Sequence, residues 1–354
     1  MTDNGNTRAL CLLPTDNLQA DIDFFRSEAK FQLTALYPSE APEIAELDGL
    51  GLAVRLDKNF EGAAPALIIK TDGEVKPALR SPSGVDIRWE RVSKISTQSI
   101  ESHQLEICTL RDTPWVRGTA GTHTRDLIPS RLSGGMVANH IRIPNGGPVS
   151  DRVHYHTASF QLMFCVQGWI TLVYEDQGEP ITLHAGDCVT QPPHIRHKVL
   201  ETSNGLEVLE IGLPAEHITA IDDQMTLPNE RVDSHRLFDG QRFCHHRIAD
   251  AKWQPHRLPG FASCDTGVAI ASADMVSASI VRATTSALPA YSTTHDATVL
   301  FSYVLAGSVR IDQKLLVTGD AFTIPPAESR RIGDISEDIQ ILEVSVPGTF
   351  RTLV

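Results

Sequence analysis

Short apolar segments broken by turn-forming residues dominate the chain, and this pattern is typical of strands rather than helices. Glycine and proline account for 24 and 21 of the 354 residues, which agrees with a large number of turns. The predicted fold class is therefore mainly β. A chain of this length can form two or three domains, each with its own core.

The amino-terminal segment has a different pattern, because it combines a helix with strands. An apolar run from Arg8 to Pro14 precedes a helix that Thr15 or Asp16 can cap. Apolar residues recur in this helix at i, i+4 and i+7, and they are Leu18, Ile22 and Phe25.

Three strand-like segments follow the helix, namely Phe31–Tyr37, Glu43–Leu47 and Leu50–Leu56, the last two meeting at Asp48-Gly49. This order of strand, helix and three strands, over about residues 8 to 72, resembles one module of the glyoxalase and vicinal-oxygen-chelate family. In that family the metal ligands lie at the ends of the first and fourth strands. Here Leu10–Leu13 contains no histidine and Leu52–Arg55 no glutamate, so we predict no metal site in this module and assign it a role in assembly.

The rest of the chain repeats itself. With a shift of 139, the aligned pairs include Met136 with Met275, His156 with His295 and Gly168 with Gly307. With a shift of 133, they include Gly186-Asp187 with Gly319-Asp320, Pro192-Pro193 with Pro325-Pro326 and Leu209-Glu210 with Leu342-Glu343. The difference places a shorter hairpin in the second copy, opposite Asp176–Pro180. Two constant offsets on either side of one deletion predict a duplicated domain.

Four residues of the first copy have the spacing of a metal site. His154 and His156 are one residue apart, so on a strand both side chains point the same way. Gln161 follows where a neighbouring strand can return, and His197 comes from a further strand after a Gly-Asp turn. Neutral imidazole suits Zn, Fe, Ni or Cu, and an amide oxygen is a harder, uncharged ligand. We predict one divalent metal with open coordination positions.

The run from Gly147 to His197 resembles the two sequence motifs of the cupin superfamily: a glycine, His-x-His, a carboxylate or amide, a glycine, and later Gly-Asp, proline and a last histidine. The resemblance implies two cupin barrels in tandem, each a double-stranded β-helix or jelly roll, preceded by the small α+β module of βαβββ order. Cupins usually have glutamate where this chain has Gln161. An amide leaves the full 2+ charge on the ion, which favours an anionic, chelating substrate.

The second copy has lost this ligand set. Thr293, Leu300 and Arg330 align with the two histidines and the glutamine that would bind metal, and only His295 remains. We interpret His295 as structural or pocket-lining, and predict that only the first barrel binds metal.

Polar residues that disappear together with the metal ligands are candidates for substrate contact. His140 and Arg142 align with Ser279 and Val281, Gln191 with Ile324, and Arg196 with Ser329. We therefore predict a catalytic set of His140, Arg142, Gln191 and Arg196, in which Arg142 or Arg196 would anchor a carboxylate or enolate. The alternative is that these positions face solvent and are free to change. Tyr155, between the two histidines, is expected to pack on the opposite face.

The predicted organisation is a module at 1–72, a connector at 73–118, the metal-binding barrel at 119–228, a second connector at 229–258 and the second barrel at 259–354. A net charge of -13 opposes non-specific binding to nucleic acid. No apolar run approaches the roughly 20 residues of a membrane span, and the amino terminus has no pattern of a secretory signal. Six scattered cysteines indicate reduced thiols and a cytoplasmic location. We also expect a homodimer, because pairing is common among cupin barrels.

Three functions fit these features, because cupins support many reactions. The first is a dioxygenase, in which the histidines hold Fe(II) and the substrate chelates the metal. The second is a non-redox lyase or isomerase acting on a sugar acid or related carbonyl compound, with His140 or Glu207 carrying a proton. The third is a non-catalytic protein that binds a small molecule. Fe is the first choice of metal for the dioxygenase, and Zn, Mn, Ni and Cu remain alternatives.

Overall fold

The computed structural model describes residues 8–71, 73–91, 100, 103–118, 121–286 and 288–353. The chain divides into two compact units, Met1–Lys94 and Ile95–Val354. The outer bounds of several predicted segments (residues 1, 72, 119 and 354) lie outside the described residues. Within the part that is described, no helix has the length and apolar character that crossing a lipid bilayer requires.

The first unit packs one helix on a four-stranded sheet. Its elements are β1 (Cys11–Pro14), α1 (Leu18–Ser27), β2 (Gln32–Tyr37), β3 (Ile44–Gly49) and β4 (Leu52–Asp57). The strand order is β1-β4-β3-β2, with β1 parallel to β4. Asn17 caps the helix instead of Thr15 or Asp16, because its side-chain oxygen accepts a hydrogen bond from the Ala20 amide at 3.2 Å. The predicted βαβββ order is confirmed, whereas the resemblance to a glyoxalase module stays a prediction.

The hairpin between β3 and β4 turns two residues later than predicted. Gly49 is still paired with Leu52, and the turn is formed by Leu50 and Gly51, with φ of 55° and 78°. Positive φ at both central residues is the geometry of the turn that matches strand twist. Gly49 serves packing instead, since a Cβ atom there would lie 2.7 Å from the Phe31 ring.

The first unit also extends beyond the predicted boundary at residue 72. Its remaining strands are β5 (Ala66–Thr71), β6 (Leu79–Arg80) and β7 (Asp86–Arg91), which form a sheet of order β5-β7-β6. Val85 and Ile87 are fully buried in the same core as Phe25 of α1. Residues 73–91 therefore belong to this unit and are not a connector.

The second unit contains two barrels. The elements of its first part are β8 (Glu106–Cys108), β9 (Val116–Arg117), β10 (His123–Asp126), β11 (Val137–Ile143), β12 (Gly147–Pro148), β13 (His154–His156), β14 (Phe160–Gln167), β15 (Trp169–Tyr174), β16 (Ile181–His184), β17 (Cys188–Thr190), β18 (His197–Thr202), β19 (Leu206–Leu213), β20 (Thr219–Ile221), β21 (Leu237–Phe238), β22 (Gln241–Arg242) and β23 (His245–His246). Those of its second part are β24 (Trp253–Pro255), β25 (Phe261–Asp265), α2 (Val268–Ala271), β26 (Ser277–Ala283), β27 (Tyr291–His295), β28 (Val299–Ala306), β29 (Ser308–Ile311), β30 (Lys314–Val317), β31 (Ala321–Ile324), β32 (Arg330–Gly333), β33 (Gln340–Val346) and β34 (Thr352–Leu353). Short 3-10 helices span Arg131–Gly134 and Ile248–Asp250.

Each barrel is formed by two facing sheets. In barrel 1 the sheet orders are β23-β17-β14-β19-β11-β10-β9 and β16-β15-β18-β13-β20. In barrel 2 they are β24-β25-β26-β33-β28-β31-β8 and β30-β29-β32-β27-β34. The predicted duplication is visible strand by strand: β14 and β28 differ by the shift of 139, and each is followed by a glycine with positive φ, Gly168 at 78° and Gly307 at 75°.

The two connectors complete the sheets of the barrels. Strand β8 precedes barrel 1 in sequence but pairs with β31 of barrel 2, while β23 follows barrel 1 and pairs with β17. Equivalent aspartates bind the two connectors: Asp320 accepts a hydrogen bond from the Leu110 amide at 2.7 Å, and Asp187 accepts one from the Ile248 amide at 2.8 Å. Covering a sheet edge in this way removes unpaired backbone groups.

The larger sheets of the two barrels share one apolar core. Leu162 and Phe164 of β14 and Leu209 of β19 are buried in the same cluster as Phe301 and Val344 of barrel 2. Residues of alternate parity, such as Met163 and Val208, are buried in a separate cluster inside barrel 1. Both faces of the β14-β19-β11 sheet are therefore buried, one inside its own barrel and the other against the second barrel.

Candidate metal centre

Three histidines meet inside barrel 1 because two neighbouring strands carry them in register. His154 and His156 project from the same side of β13, and His154 pairs directly with His197 at the start of β18. The ring of His197 lies 4.4 Å from that of His154 and 5.2 Å from that of His156. One ligand nitrogen from each ring lies within 4.8 Å of the other two, which is close enough to bind one ion.

In the described part of the chain, each of these rings forms its hydrogen bond through Nδ1, and Nε2 forms none. Nδ1 of His154 contacts the Arg152 carbonyl at 2.8 Å, and Nδ1 of His197 contacts the Ile195 carbonyl at 3.0 Å. A carbonyl can only accept, so Nδ1 carries the proton in both rings and Nε2 keeps its lone pair. Nδ1 of His156 contacts the Thr219 hydroxyl at 3.1 Å. Such partners orient histidine ligands of metals.

Burial also keeps two of the rings neutral, as metal binding requires. Burial, together with the neighbouring His154 and His217, lowers the pKa of His156 to about 4. His197 is 3% exposed, and burial with the two neighbouring histidines holds its pKa well below the ordinary value. Protons therefore compete poorly with a metal ion at these two nitrogens near neutral pH.

Gln161 lies inside the same barrel and is a candidate for a fourth ligand. Its side chain shares the inward face of β14 with Met163 and Cys165, which face the interior of barrel 1. It is 1% exposed, and Nε2 donates to Oε1 of Glu210 at 2.6 Å. Oε1 of Gln161 is buried and has no hydrogen-bond partner among the described residues. A buried amide oxygen without a partner on the inner face of the barrel that carries the three histidines is compatible with a role as a metal ligand.

Glu210 belongs to the site although the sequence did not identify it. Burial raises its pKa, which the hydrogen bond from Gln161 and the nearby His217 and His154 partly offset. Glu210 is therefore hydrogen-bonded to Gln161 and lies close enough to His154 and His217 to interact with them electrostatically. The only sequence signal was the pair of aligned glutamates, Glu210 and Glu343, in otherwise apolar strands.

Gln191 lies beside this group, as predicted. Its backbone amide donates to the Gln161 carbonyl at 2.8 Å, and its Nε2 donates to the Tyr174 hydroxyl at 3.0 Å. The Tyr174 ring stacks on His197 with centroids 5.4 Å apart. Oε1 of Gln191 is buried and unpaired in the described part of the chain, so it is available to a substrate hydroxyl.

The structure places His140 and Arg142 away from the three histidines, which corrects their predicted position. His140 Nε2 lies 2.9 Å from Glu207, and its Nδ1 lies 3.4 Å from the Tyr303 hydroxyl of barrel 2. Arg142 donates from Nε to Glu207 at 2.8 Å. Glu207 and Glu210 are three residues apart on β19, so they occupy opposite faces. His140, Arg142 and Glu207 therefore face the second barrel and not the metal centre.

Arg196 also points away from the centre. Its Nε donates to Asp222 at 3.0 Å, its Nη1 lies 3.6 Å from Glu175, and its guanidinium stacks over Tyr155 at 4.9 Å. It precedes His197 on the chain and therefore projects to the other side. Two carboxylates already balance its charge, so Arg196 is not free to anchor a substrate. Tyr155 packs outside, as predicted.

The centre of barrel 2 has no comparable set. His154, His156 and His197 are the one group of three or more histidine, cysteine, aspartate or glutamate side chains with metal-binding spacing in the described ranges. The surviving His295 is 5% exposed and contacts the Ile324 carbonyl through Nε2 at 3.1 Å. This placement agrees with a structural or pocket-lining role.

Comparison with known proteins agrees with this architecture. The family model described as Cupin domain matches residues 139–212. A mutant of Bacillus subtilis oxalate decarboxylase is 13% identical, with 74% of this chain and 81% of that chain covered and a TM-score of 0.52. The formate complex of Lactobacillus farciminis oxalate decarboxylase is 16% identical, with 74% and 91% covered and a TM-score of 0.52. A further Bacillus subtilis oxalate decarboxylase, studied for its Mn(II) centres, is 13% identical, with 74% and 81% covered and a TM-score of 0.51.

No curated protein matches the chain in sequence. Identities this low show a common fold and do not transfer an activity. The chain has a bicupin fold, and the segment that carries the three histidines is its cupin domain.

Proposed function

We propose that this bicupin chain is a metal-dependent enzyme that acts on a small, chelating organic anion in barrel 1. One observation carries the proposal: the three histidines lie within metal-binding distance of one another, and inside the same barrel Oε1 of Gln161 is buried without a hydrogen-bond partner among the described residues. All four donors are uncharged, so the charge of a divalent ion would remain available to an anion. The oxalate decarboxylases with this fold act on a small dianion, which supports the same substrate class here.

The residues that would hold the ion are His154, His156, His197 and Gln161. Bound there, a divalent metal supplies a Lewis acid that polarises a chelated oxygen, and a redox-active metal also supplies electron transfer. The chain contributes orientation around it. Glu210 fixes Gln161 by accepting from Nε2, so that Oε1 is directed to the centre.

Two further side chains are placed to position a substrate. Oε1 of Gln191 offers an acceptor for a substrate hydroxyl, while Tyr174 holds the same side chain through its Nε2. Met163, Cys165 and Val208 form an apolar interior that excludes water and so strengthens polar contacts at the site.

For the reaction, a dioxygenase with ferrous iron is our first hypothesis, because neutral ligands suit Fe(II) together with an anionic chelator. A non-redox lyase or isomerase is the second. It is favoured by the carboxyl group of Glu210, which lies beside the ligand set and can carry a proton. His140, Arg142 and Arg196 have no part in either version, since they face away from the site.

Elemental analysis and oxygen consumption test these hypotheses together. We expect about one metal ion per chain in the wild type, and its loss in His154→Ala and His197→Ala. His184→Ala, which changes an exposed histidine of the same barrel, is the control and should keep the ion. Iron with substrate-dependent oxygen uptake supports the dioxygenase, and turnover without oxygen supports the lyase or isomerase. If the metal ion is retained in both His154→Ala and His197→Ala, the proposal is wrong.

The homodimer, the cytoplasmic location and the absence of a nucleic-acid partner stay predictions from the sequence. Among the candidate metals, manganese is supported by the Mn(II) centres of the structurally similar Bacillus subtilis oxalate decarboxylase. The elemental analysis distinguishes it from iron directly.

A further inference from the structure

The interior of barrel 2 has replaced its metal donors. Thr293 and Leu300 stand at the positions of His154 and Gln161. Arg330, at the position of His197, turns to Asp312 and contacts Glu328, so its charge is taken up elsewhere. What remains in this interior is therefore a different kind of site.

A guanidinium–carboxylate pair occupies the end of barrel 2 that corresponds to the metal centre. Arg257 donates from Nη1 and Nη2 to the two oxygens of Glu343 at 2.6 and 2.7 Å, and from Nε to the Thr352 hydroxyl at 2.7 Å. Glu343 and Thr352 are the equivalents, at the shift of 133, of Glu210 and Thr219, which border the metal centre in barrel 1. Thr352 pairs with His295 just as Thr219 pairs with His156. The Arg257 guanidinium thus contacts residues of barrel 2 that are equivalent to residues at the proposed metal centre of barrel 1.

The same interior encloses a cavity of about 50 Å³. Apolar side chains form most of its wall, and its polar part consists of Arg257, Glu343, two histidines (His256 and His295) and four hydroxyl-bearing residues (Tyr291, Thr293, Ser302 and Thr352). Thr293 and Ser302 are 8% and 3% exposed. Among the described residues, the hydroxyls of Tyr291, Thr293 and Ser302 have no hydrogen-bond partner, whereas Thr352 accepts from Arg257. Hydroxyls that line a cavity without protein partners are available to an occupant with hydrogen-bonding groups.

The charges in this cavity disfavour an anion. Arg257 and Glu343 neutralise each other through two hydrogen bonds, and Arg257 holds the pKa of Glu343 at about 2 in spite of burial, which by itself raises it. Burial likewise lowers the pKa of His295, so this ring adds no positive charge near neutral pH. A carboxylate entering the cavity would bring a charge that nothing there balances. A hydroxyl group can instead both donate to and accept from the three side-chain hydroxyls.

We infer that barrel 2 is a second ligand site, independent of the metal centre, which takes a small uncharged alcohol between the Arg257–Glu343 pair and the hydroxyls of Thr293 and Ser302. About 10–15 Å³ of such space is enough for one water molecule, so the cavity has room for a molecule of about three or four non-hydrogen atoms. The apolar wall accommodates its carbon atoms. This inference does not depend on any activity at barrel 1.

Fluorine NMR with 2-fluoroethanol as the probe tests the site on the full chain. We expect saturable binding that propan-1-ol displaces and propionate, of similar size but charged, does not. Thr293→Val removes one hydroxyl while keeping the shape, and should weaken binding roughly 3- to 10-fold. His197→Ala, which disrupts the metal centre of barrel 1, is the control and should leave binding unchanged.

A second measurement needs no variant. Nuclear Overhauser contacts from the probe to labelled isoleucine methyl groups in wild-type protein should include Ile324, which lines the cavity. Binding that is lost in His197→Ala but kept in Thr293→Val would place the probe in barrel 1 and overturn the inference. Displacement by propionate as effective as by propan-1-ol, or an absence of saturable binding, would overturn it as well.

Discussion

Gln161 and Glu210 form a 2.6 Å hydrogen bond in which the amide nitrogen donates to the carboxylate. The bond fixes the orientation of the amide and leaves Oε1 as the end without a partner among the described residues, because a carboxylate accepts only from the nitrogen. Gln161, which we propose as a ligand at the position of the usual cupin glutamate, is thus oriented by the carboxyl group of Glu210 from β19.

Exchanging the two side chains tests this coupling. Gln161→Glu alone places two carboxyl groups side by side, and their repulsion raises the pKa of the pair, so metal affinity should increase only as pH rises. The double variant Gln161→Glu/Glu210→Gln keeps one donor and one acceptor and should bind metal tightly at lower pH. Competition with a chromophoric chelator, from about pH 6 to about pH 8, measures both affinities.

Glu210→Gln alone is the matched control for the exchange. It frees the Gln161 amide to turn, and we expect metal affinity to fall about 10-fold. If the single and double variants bind metal equally over the whole pH range, the two side chains are not coupled and Gln161 is not a ligand.

The metal-free protein should lose stability in mild acid because of the histidine pair. The folded-state pKa of His156 is about 4, below the ordinary value of about 6.5. Between these values the unfolded chain binds more protons, so the free energy of unfolding decreases as pH falls through this window. As the pH falls from 6.5 to 5, His156 lowers the free energy of unfolding by up to about 2 kcal/mol. His197 lowers it as well.

Thermal unfolding of chelator-treated protein at several pH values measures this effect. The variant His156→Gln/His197→Gln has no ring to protonate at these positions and should have a flatter dependence between pH 6.5 and pH 5. An unchanged slope in the double variant would mean that other groups cause the acid sensitivity.

Glu207 should matter for the contact between the barrels and not for metal binding. It is the shared partner of buried His140 and of Arg142, so Glu207→Ala leaves two polar groups without an acceptor. We expect a loss of about 1–3 kcal/mol in the free energy of unfolding with unchanged metal content. Glu201→Ala, at an exposed position of β18, is the control. If the Glu207→Ala protein folds with normal stability but has lost its metal, the prediction is wrong and Glu207 belongs to the metal centre.

The Arg257–Glu343 pair should stabilise barrel 2 only as a pair. Glu343→Gln leaves a partly buried guanidinium without its counter-charge, which costs about 3 kcal/mol. The pKa of Glu343 is lowered to about 2. The stability that its charge contributes is therefore present above the unfolded pKa of about 4.3, and it is lost as the pH falls from there toward about 2. Urea unfolding at two acidic pH values measures this, and the double variant Arg257→Met/Glu343→Leu should be more stable than Glu343→Gln. The reverse order of stability would show that the pair is not coupled.

The repeated pattern and the ligand spacing could be read from the sequence because both are local or periodic. The offsets around Gly168 and Gly186 located the second barrel, and the one-residue separation of His154 and His156 predicted a common face. Such features depend on chain geometry alone.

The errors came from a surface that only the assembled fold defines. His140 and Arg142 have the alternation expected of a strand, but alternation does not reveal which face meets the metal when both faces are buried. Glu210 escaped because its neighbours in β19 are apolar on both faces and its partner, Gln161, lies far away in sequence. The pairing of β8 with barrel 2 was also unpredictable, since it joins segments separated by the whole of barrel 1.

That pairing has a consequence for how the protein is made. During synthesis β8 leaves the ribosome before either barrel, whereas β31, with which it pairs, is translated only after the whole of barrel 1. The nascent segment around Leu110 therefore stays unpaired until Asp320, which accepts a hydrogen bond from the Leu110 amide, has been synthesised. A fragment cut between the two barrels would leave barrel 2 without its outer strand β8. We therefore expect barrel 2 to fold only when it is expressed together with barrel 1.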